Sequence, residues 1–466
     1  MRRFELIVAF VALVAVAWPS VFGVRPRRGI ISVGLLGAFI AHVQFEGLRW
    51  QMIPLYAVAL GLAIGDIVFV ERTVGWSSRL ARGIFGVGGV LVAASLAVAL
   101  PVPELPAPAG PEAIGTVTVQ LTDAERLEIY GSRPGGPREF IAQVWYPAQP
   151  DPSIEPQTWA EDWDVVAPAV AERLGFPSWF LNHTRFTDSH ARESLLPLEG
   201  NFPIVIYSHG WTGFRSIAIN QIESLASSGY IVIAPDHTYG AVATRLDDGE
   251  VIPYDPTALP DEETVTPAEY EEAAQELLST FAGDIVTILN ELELADRGAF
   301  AFITDNADLS TVGVYGHSTG GGAAVKVCLE DERCDAILGM DAWVEPLPDD
   351  VLRISAAKPA MFMRSDGWRG TENDAVLRGI AARSESVSYW IGIDGAEHND
   401  FVAAPLFSPI AGQIGLKGPI PAGRVIPIVD NYLVGFFDVF LLGTGSAALD
   451  AITFDDVTVE LIAPNG

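Results

Sequence analysis

Basic residues are scarce in this chain of 466 amino acids. Lys and Arg number 28 against 59 Asp and Glu, and the formal net charge is −31. The imbalance is uneven: residues 1–102 hold nine Arg and four acids, a net of +5, which leaves −36 on the rest. So acidic a segment repels phosphate backbones, which argues against a nucleic-acid partner. Cysteine is rarer still, with only Cys328 and Cys334. An oxidising compartment would allow a short-loop bridge between them, but the spacing alone favours two unlinked thiols. The chain also lacks internal repeats, and its only low-complexity run is one proline-rich spacer.

Apolar residues, in contrast, are abundant: 49% of the chain, with a positive mean hydropathy of +0.29. The excess is gathered in four runs, 4–23, 29–45, 52–70 and 83–100. Each is close to the roughly 20 residues that cross a bilayer core as a helix. A signal peptide starting at Arg2 and Arg3 would account for the first run alone, so an all-α transmembrane bundle of about four helices is expected. Asp66 interrupts the third run and lies close enough to Glu71 to reach the interface. Loops carrying Arg25, Arg27, Arg28, Arg72, Arg79 and Arg82 oppose a side with Arg2, Arg3 and Arg49. Basic loops stay in the cytoplasm, which places both termini outside it and makes the chain a multi-pass membrane protein.

Five prolines between 101 and 111 make residues 103–115 a semi-rigid linker. Beyond it, residues 116–466 alternate short β-branched runs with helical patterns. The strand-like runs are "TVTVQL", "FIAQVWYP", "PIVIYS", "YIVIAP", "STVGVYG", "CDAILGMD", "PAMFMR" and "VSYWIGID". Helices are expected over 217–227 and over 267–293, the latter after the capping residue Thr266. The alternation predicts a mostly parallel sheet with helices on both faces.

One such run leads into "VYGHSTGGGAA". A bare G-x-S-x-G is weak, but here a strand precedes Ser318 and a helix follows it. That strand-to-helix turn exposes a serine hydroxyl above a parallel sheet, making Ser318 the candidate nucleophile. The chain order Ser…Asp…His leaves one histidine in the expected place, His398 in "EHNDF". Two acids compete to orient it. Asp341 ends the next strand, while Asp366 follows the one after and is slightly favoured by the strand pattern alone. Donors for an oxyanion are expected at the amides of Trp211, in "SHGW", and Thr319. The apolar segment 176–186 could cap the pocket or be an ordinary packed loop.

The stretches "SHGWTGFRS", "GHSTGGGAA", "LEDERCDAILGMDAWVEPL" and "EHNDF", with "LKGPI" and "VDNYLVGFFDVFLLG", run in order between about 138 and 443. In this the chain resembles the secreted platelet-activating-factor acetylhydrolases, a branch of the α/β-hydrolases. The resemblance implies Asp341 as the acid, with Ser318, His398, and the amides of Trp211 and Thr319 in the roles given above. It also implies that no cofactor and no metal is needed. The implied substrates are short or oxidised acyl esters of phospholipids, with broad short-chain or polyester hydrolysis as the alternative. Two features depart from the family: the apolar N-terminal runs, and Thr319 in place of a bulky aromatic. The expectation is a membrane-anchored serine hydrolase facing the extracytoplasmic side. A non-catalytic membrane sensor or scaffold is the competing class.

Overall fold

The computed structural model describes residues 1–24, 27–68, 76–131, 134–294 and 298–464. Arg25, Phe69, Val70, Glu71 and Arg72, on which the sequence expectations also draw, lie outside the described residues. Two compact units emerge. The first is Met1–Pro103 with Asn182–Phe186 and Phe407–Ile410; the second is Glu104–Leu181, Thr187–Leu406 and Ala411–Gly466.

Apolar runs in the first unit form α1 (Arg3–Phe22), α2 (Ile30–Glu46), α3 (Ile53–Val68) and α4 (Trp76–Ala99). Among the described residues, three helical stretches are long and apolar enough to cross a membrane: Arg3–Phe22, Trp50–Val68 and Trp76–Ala99. The expected fourth span corrects to a shorter helix. α2 has 17 residues, which rise about 26 Å against a hydrocarbon core of about 30 Å. Val8, Leu55 and Val90 pack the bundle interior, while Phe10, Val33, Phe85 and Val92 stay exposed.

Asp66, two residues before the end of α3, is partly exposed. Its Oδ2 accepts from the N–H groups of Gly29 (2.9 Å) and Ser32 (3.2 Å), so it caps α2 at the end of the bundle. Arg49 is buried. It donates to Glu5 at 2.6 and 2.8 Å and to the Ala97 carbonyl at 3.0 Å. Its charge is therefore neutralised inside the bundle rather than displayed on a loop.

All eight anticipated strands are present in the second unit. They are β1 (Ala113–Leu127), β2 (Pro137–Ala148), β5 (Phe202–Ser208), β6 (Ile231–Asp236), β9 (Ala307–His317), β10 (Ala336–Met340), β11 (Ala360–Arg364) and β12 (Ser388–Ile393). Short or polar strands complete the set: β3 (Pro156–Thr158), β4 (Asp188–Glu193), the hairpin β7 (Ala243–Arg245) and β8 (Val251–Pro253), and β13 (Val457–Ile462). Eleven strands form one sheet in the order β13-β12-β11-β10-β9-β5-β6-β2-β1-β4-β3. From β12 to β6 all neighbours are parallel. β2 and β13 then join antiparallel at either side of that block.

Helices α5 (Trp163–Arg173), α6 (Ile219–Ser227), α7 (Pro267–Leu292) and α8 (Thr319–Glu330) connect the strands, with Glu372–Arg383 and Ala422–Phe440 after them. α7 begins as its sequence indicates. Thr266 Oγ1 accepts from the Glu269 N–H while Glu269 accepts from the Thr266 N–H. Ile204, Ile206, Val314 and Phe281 are fully buried between sheet and helices. Cys328, in the last turn of α8, is bridged to Cys334, with a Cα–Cα distance of 5.1 Å. This corrects the expectation of unlinked thiols: the chain reverses between α8 and β10 and brings the two side chains together. In a parallel sheet the strands' carboxyl ends border the ligand crevice, and the segments following β5, β9, β10, β11 and β12 converge there.

Candidate active site

Ser318 follows β9 and opens α8 with φ 56° and ψ −123°. Side chains other than glycine rarely adopt such angles, at a cost of about 1–3 kcal/mol. Neighbouring segments hold it there. The Ser318 N–H donates to the Met340 carbonyl (3.0 Å), and its own carbonyl accepts from Trp343 (2.9 Å) and Gly322 (3.0 Å). Close packing also fixes the glycines around it. A Cβ on Gly320 would overlap the Ser208 carbonyl oxygen, and one on Gly316 would overlap Gly320. Thr212 and Asp341 likewise have positive φ, of 56° and 42°. Strain is thus gathered in the three turns that meet here.

Asp341 follows β10 and is almost completely buried. Its Oδ2 lies 3.0 Å from His398 Nδ1 and accepts from Ser365 Oγ at 2.7 Å; its Oδ1 accepts from the Ser365 N–H at 2.9 Å. A carboxylate with these donors keeps its charge satisfied inside the fold. His398 opens a short turn after β12, and its side chain remains 31% exposed. It is therefore tied to Asp341 on one edge and reachable from outside.

Two aromatic neighbours fix the histidine further. The Trp368 ring stacks on it with centroids 4.8 Å apart and an interplanar angle of 6°. His317 Nε2 donates to the His398 carbonyl at 2.9 Å. Burial, reinforced by the nearby His398, holds the His317 imidazole well below its ordinary range, so this ring is neutral. His317 points away from the serine hydroxyl's role and instead holds the backbone of the loop.

The turn after β5 completes the cluster. A Cβ on Gly210 would lie 3.0 Å from Ser318 Cβ, so the Gly210–Trp211 backbone runs alongside the serine. Among the described residues, the N–H groups of Trp211 and Thr319 donate to no other backbone group. The structure thus brings Ser318, Asp341, His398, Trp211 and Thr319 to one end of the sheet. Asp366, after β11, lies at the same end, but His398 Nδ1 is bonded to Asp341 and not to it. Asp366 is exposed, accepts from the Gly395 N–H at 2.7 Å and pairs with Arg369. Sequence reasoning missed Ser365, although it adjoins Asp366 in "MRSD", and it missed Trp368 and the use made of His317.

The segment 176–186 divides between the two units. Phe176 and Phe180 stack with centroids 4.2 Å apart, Trp179 is 49% exposed, and Asn182–Phe186 belongs to the first unit. Among the described residues, Glu5, His42 and Glu46 have their ligand-type atoms within 4.8 Å of one another. Those atoms are already engaged. Glu5 accepts from Arg49, Glu46 accepts from the Phe4 N–H at 2.8 Å, and His42 bonds Glu46 and Tyr56.

The model of the family "Platelet-activating factor acetylhydrolase, isoform II" matches residues 135–258 and 261–439. A platelet-activating factor acetylhydrolase of Gallus gallus is 25% identical over 402 residues, covering 78% of this chain and 88% of that protein. Another, of Cavia porcellus, is 27% identical over 257 residues, covering 52% of this chain and 58% of its own. A probable 1-alkyl-2-acetylglycerophosphocholine esterase of Arthroderma benhamiae is 23% identical over 403 residues, covering 77% and 94%. The solved ferulic acid esterase of Streptomyces cinnamoneus superposes with a TM-score of 0.60 at 24% identity, covering 77% of this chain and 99% of its own. That likeness shows the fold, an α/β-hydrolase.

Proposed function

We propose that this chain, which belongs to the platelet-activating factor acetylhydrolase, isoform II, family and is a carboxylic ester hydrolase, works through Ser318, His398 and Asp341. Ser318 Oγ attacks the acyl carbon while His398 Nε2 takes its proton. Asp341 fixes the ring with Nδ1–H toward itself and stabilises the imidazolium that forms. The oxyanion is met by the amides of Trp211 and Thr319, the latter at the start of α8, where unpaired N–H groups favour negative charge. Collapse expels the alcohol, protonated by His398, and leaves an acyl-enzyme. Water then attacks it through the same histidine.

The observation that carries this reading is the 3.0 Å contact between His398 and the buried Asp341, beside a serine held at φ 56°. The names of the relatives point to the substrate class: a short acyl ester on a phospholipid glycerol. The membrane helices would then anchor the enzyme beside such lipids. Two observations favour an extracytoplasmic hydrolase unit. Arg27 and Arg28 lie between α1 and α2, and Arg79 and Arg82 in the first turns of α4, at the end of the bundle opposite Arg3 and Ala99, and the Cys328–Cys334 bridge suits an oxidising compartment.

A fluorophosphonate probe tests the core of the reading. It is expected to label the wild-type protein in detergent and not Ser318→Ala. Folded wild-type protein that takes no label would sink the assignment. An acyl-length series on p-nitrophenyl esters and sn-2 phospholipids then tests substrate class, with preference for two- to four-carbon acyl chains expected.

A further inference from the structure

A second serine–histidine–aspartate chain lies directly behind the first. Ser208 closes β5, His237 follows β6, and Asp284 sits in α7. Ser208 Oγ is 2.8 Å from His237 Nε2, and His237 Nδ1 is 3.0 Å from Asp284 Oδ2. All three residues are fully buried, so no ester reaches them.

The chemistry fixes the direction of this chain. Asp284 accepts from Arg138 at 2.8 and 3.1 Å and from Arg126 at 2.7 Å. Arg138 in turn donates to Glu128 at 2.6 Å. Burial opposes the charge on Asp284, but Arg138 and His237 outweigh it and hold the carboxyl far below its usual range. Burial pushes the His237 imidazole down to about 3 despite the neighbouring Asp284, so the ring is neutral. Its Nδ1–H donates to Asp284, and its Nε2 accepts the Ser208 hydroxyl proton.

The same histidine fixes the next residues of the turn. The His237 N–H donates to His209 Nε2 at 3.1 Å, and His209 Nδ1 donates to the Gly210 carbonyl at 2.8 Å. Phe281 stacks on His237, with centroids 3.8 Å apart. At the other end, the Ser208 carbonyl is packed against Gly320 of α8, and Gly210 is packed against Ser318. A shift of Ser208 is therefore passed to the nucleophile turn.

We infer that Ser208, His237 and Asp284 form a positioning relay, which anchors the turn Ser208–Trp211 on a buried ion pair and sets the Trp211 amide against the reacting carbonyl. The inference rests on the roles given above to Ser318 and Trp211. None of the three relay residues touches substrate. A purely apolar core would fill the same space, but it would not dictate the rotamer of Ser208 or the orientation of both histidines. Directional bonds do so, and oxyanion donors need such preorganisation.

The test uses the full chain in detergent, with Ser208→Ala, which removes one oxygen, and His237→Ala. Each is assayed on a carbonyl ester and on the matching thionoester, whose sulfur gains little from N–H donors. For Ser208→Ala, kcat on the carbonyl ester is expected to fall about tenfold, with KM within about twofold. The wild-type preference for the carbonyl ester should shrink by a similar factor. A merely structural role would lower thermal stability and leave that preference intact, which would overturn the relay. Should His237→Ala fail to fold, Ser208→Ala decides alone. An inactive wild type would overturn the reading of Ser318 and the relay with it, whereas an active wild type beside an unchanged Ser208→Ala preference overturns the relay only.

Discussion

Asp341 Oδ2 lies 3.0 Å from His398 Nδ1 and 2.7 Å from Ser365 Oγ, so one buried carboxylate oxygen serves both the histidine and a serine of the adjacent strand end. Removing the charge while keeping the shape isolates its role. Asp341→Asn is expected to lower kcat by about 10³–10⁴, through loss of the correct tautomer and of imidazolium stabilisation. Asp366→Asn, at an exposed site bonded to Gly395 and Arg369, is expected to keep kcat within about twofold. Steady-state kinetics on a chromogenic ester decides between them, and full activity of Asp341→Asn would refute the assignment.

The close approach of α8 to β5 makes a sharp packing prediction. A methyl group on Gly320 meets the Ser208 carbonyl oxygen, a backbone atom that cannot rotate away. Gly320→Ala is expected to destabilise the hydrolase unit by more than about 2 kcal/mol. Gly423, inside the helix Ala422–Phe440, faces open space. Gly423→Ala should therefore be neutral or stabilise by up to about 1 kcal/mol. Thermal midpoints of the two variants in the same detergent provide the comparison.

Much of the hydrolase unit is legible in its amino-acid sequence, and the reasons are local. Runs such as Ile204–Tyr207 and Val312–Tyr315 are buried on both faces and so carry a continuous apolar signal. β4, with the sequence Asp188–Glu193, is polar and short, and β13 is a largely exposed edge, so neither leaves such a signal. The nucleophile turn is legible because its strand, glycines and helix are contiguous. The choice between Asp341 and Asp366 is not legible from the strand pattern, since it depends on which strand end faces the His398 loop. Ser365 and Trp368 are harder again: their contacts exist only because segments far apart in sequence converge. The bundle gives the opposite lesson, for Arg49 reads as a loop charge and is in fact buried against Glu5.

Acid–base behaviour of a residue away from the site gives an independent check on the core. Burial pushes the Asp430 carboxyl up to about 7, and Asn220 Nδ2 donates to it at 2.9 Å. The folded state thus holds a proton that the unfolded state releases above its ordinary carboxylate range. Between about pH 4 and 7 the folded state binds more protons, so this contribution is fully present at low pH and is lost as pH rises through about 7. The gap from 3.8 to about 7 corresponds to about 4 kcal/mol as an upper bound. Asp430→Asn should remove this slope and be more stable than wild type at pH 8. Unfolding midpoints measured from pH 5 to 8 would show it, and parallel profiles for the two proteins would contradict it.

The Cys328–Cys334 bridge links stability to the extracytoplasmic placement proposed for the hydrolase unit. It closes a loop of sequence separation six, joining the last turn of the nucleophile helix to the start of β10. In the chain-entropy model so short a loop contributes about 2 kcal/mol. A Cys328→Ala/Cys334→Ala double variant should therefore lower the thermal midpoint by a few degrees while keeping kcat, since neither cysteine touches Ser318, Asp341 or His398. The bridge also reports compartment, because the reducing cytoplasm keeps such thiols open. Cells quenched with a thiol-blocking reagent and then denatured should yield a protein that takes up alkylating label only after reduction. Full labelling without reduction would mean a cytoplasmic hydrolase unit, and the proposed topology would have to be reversed.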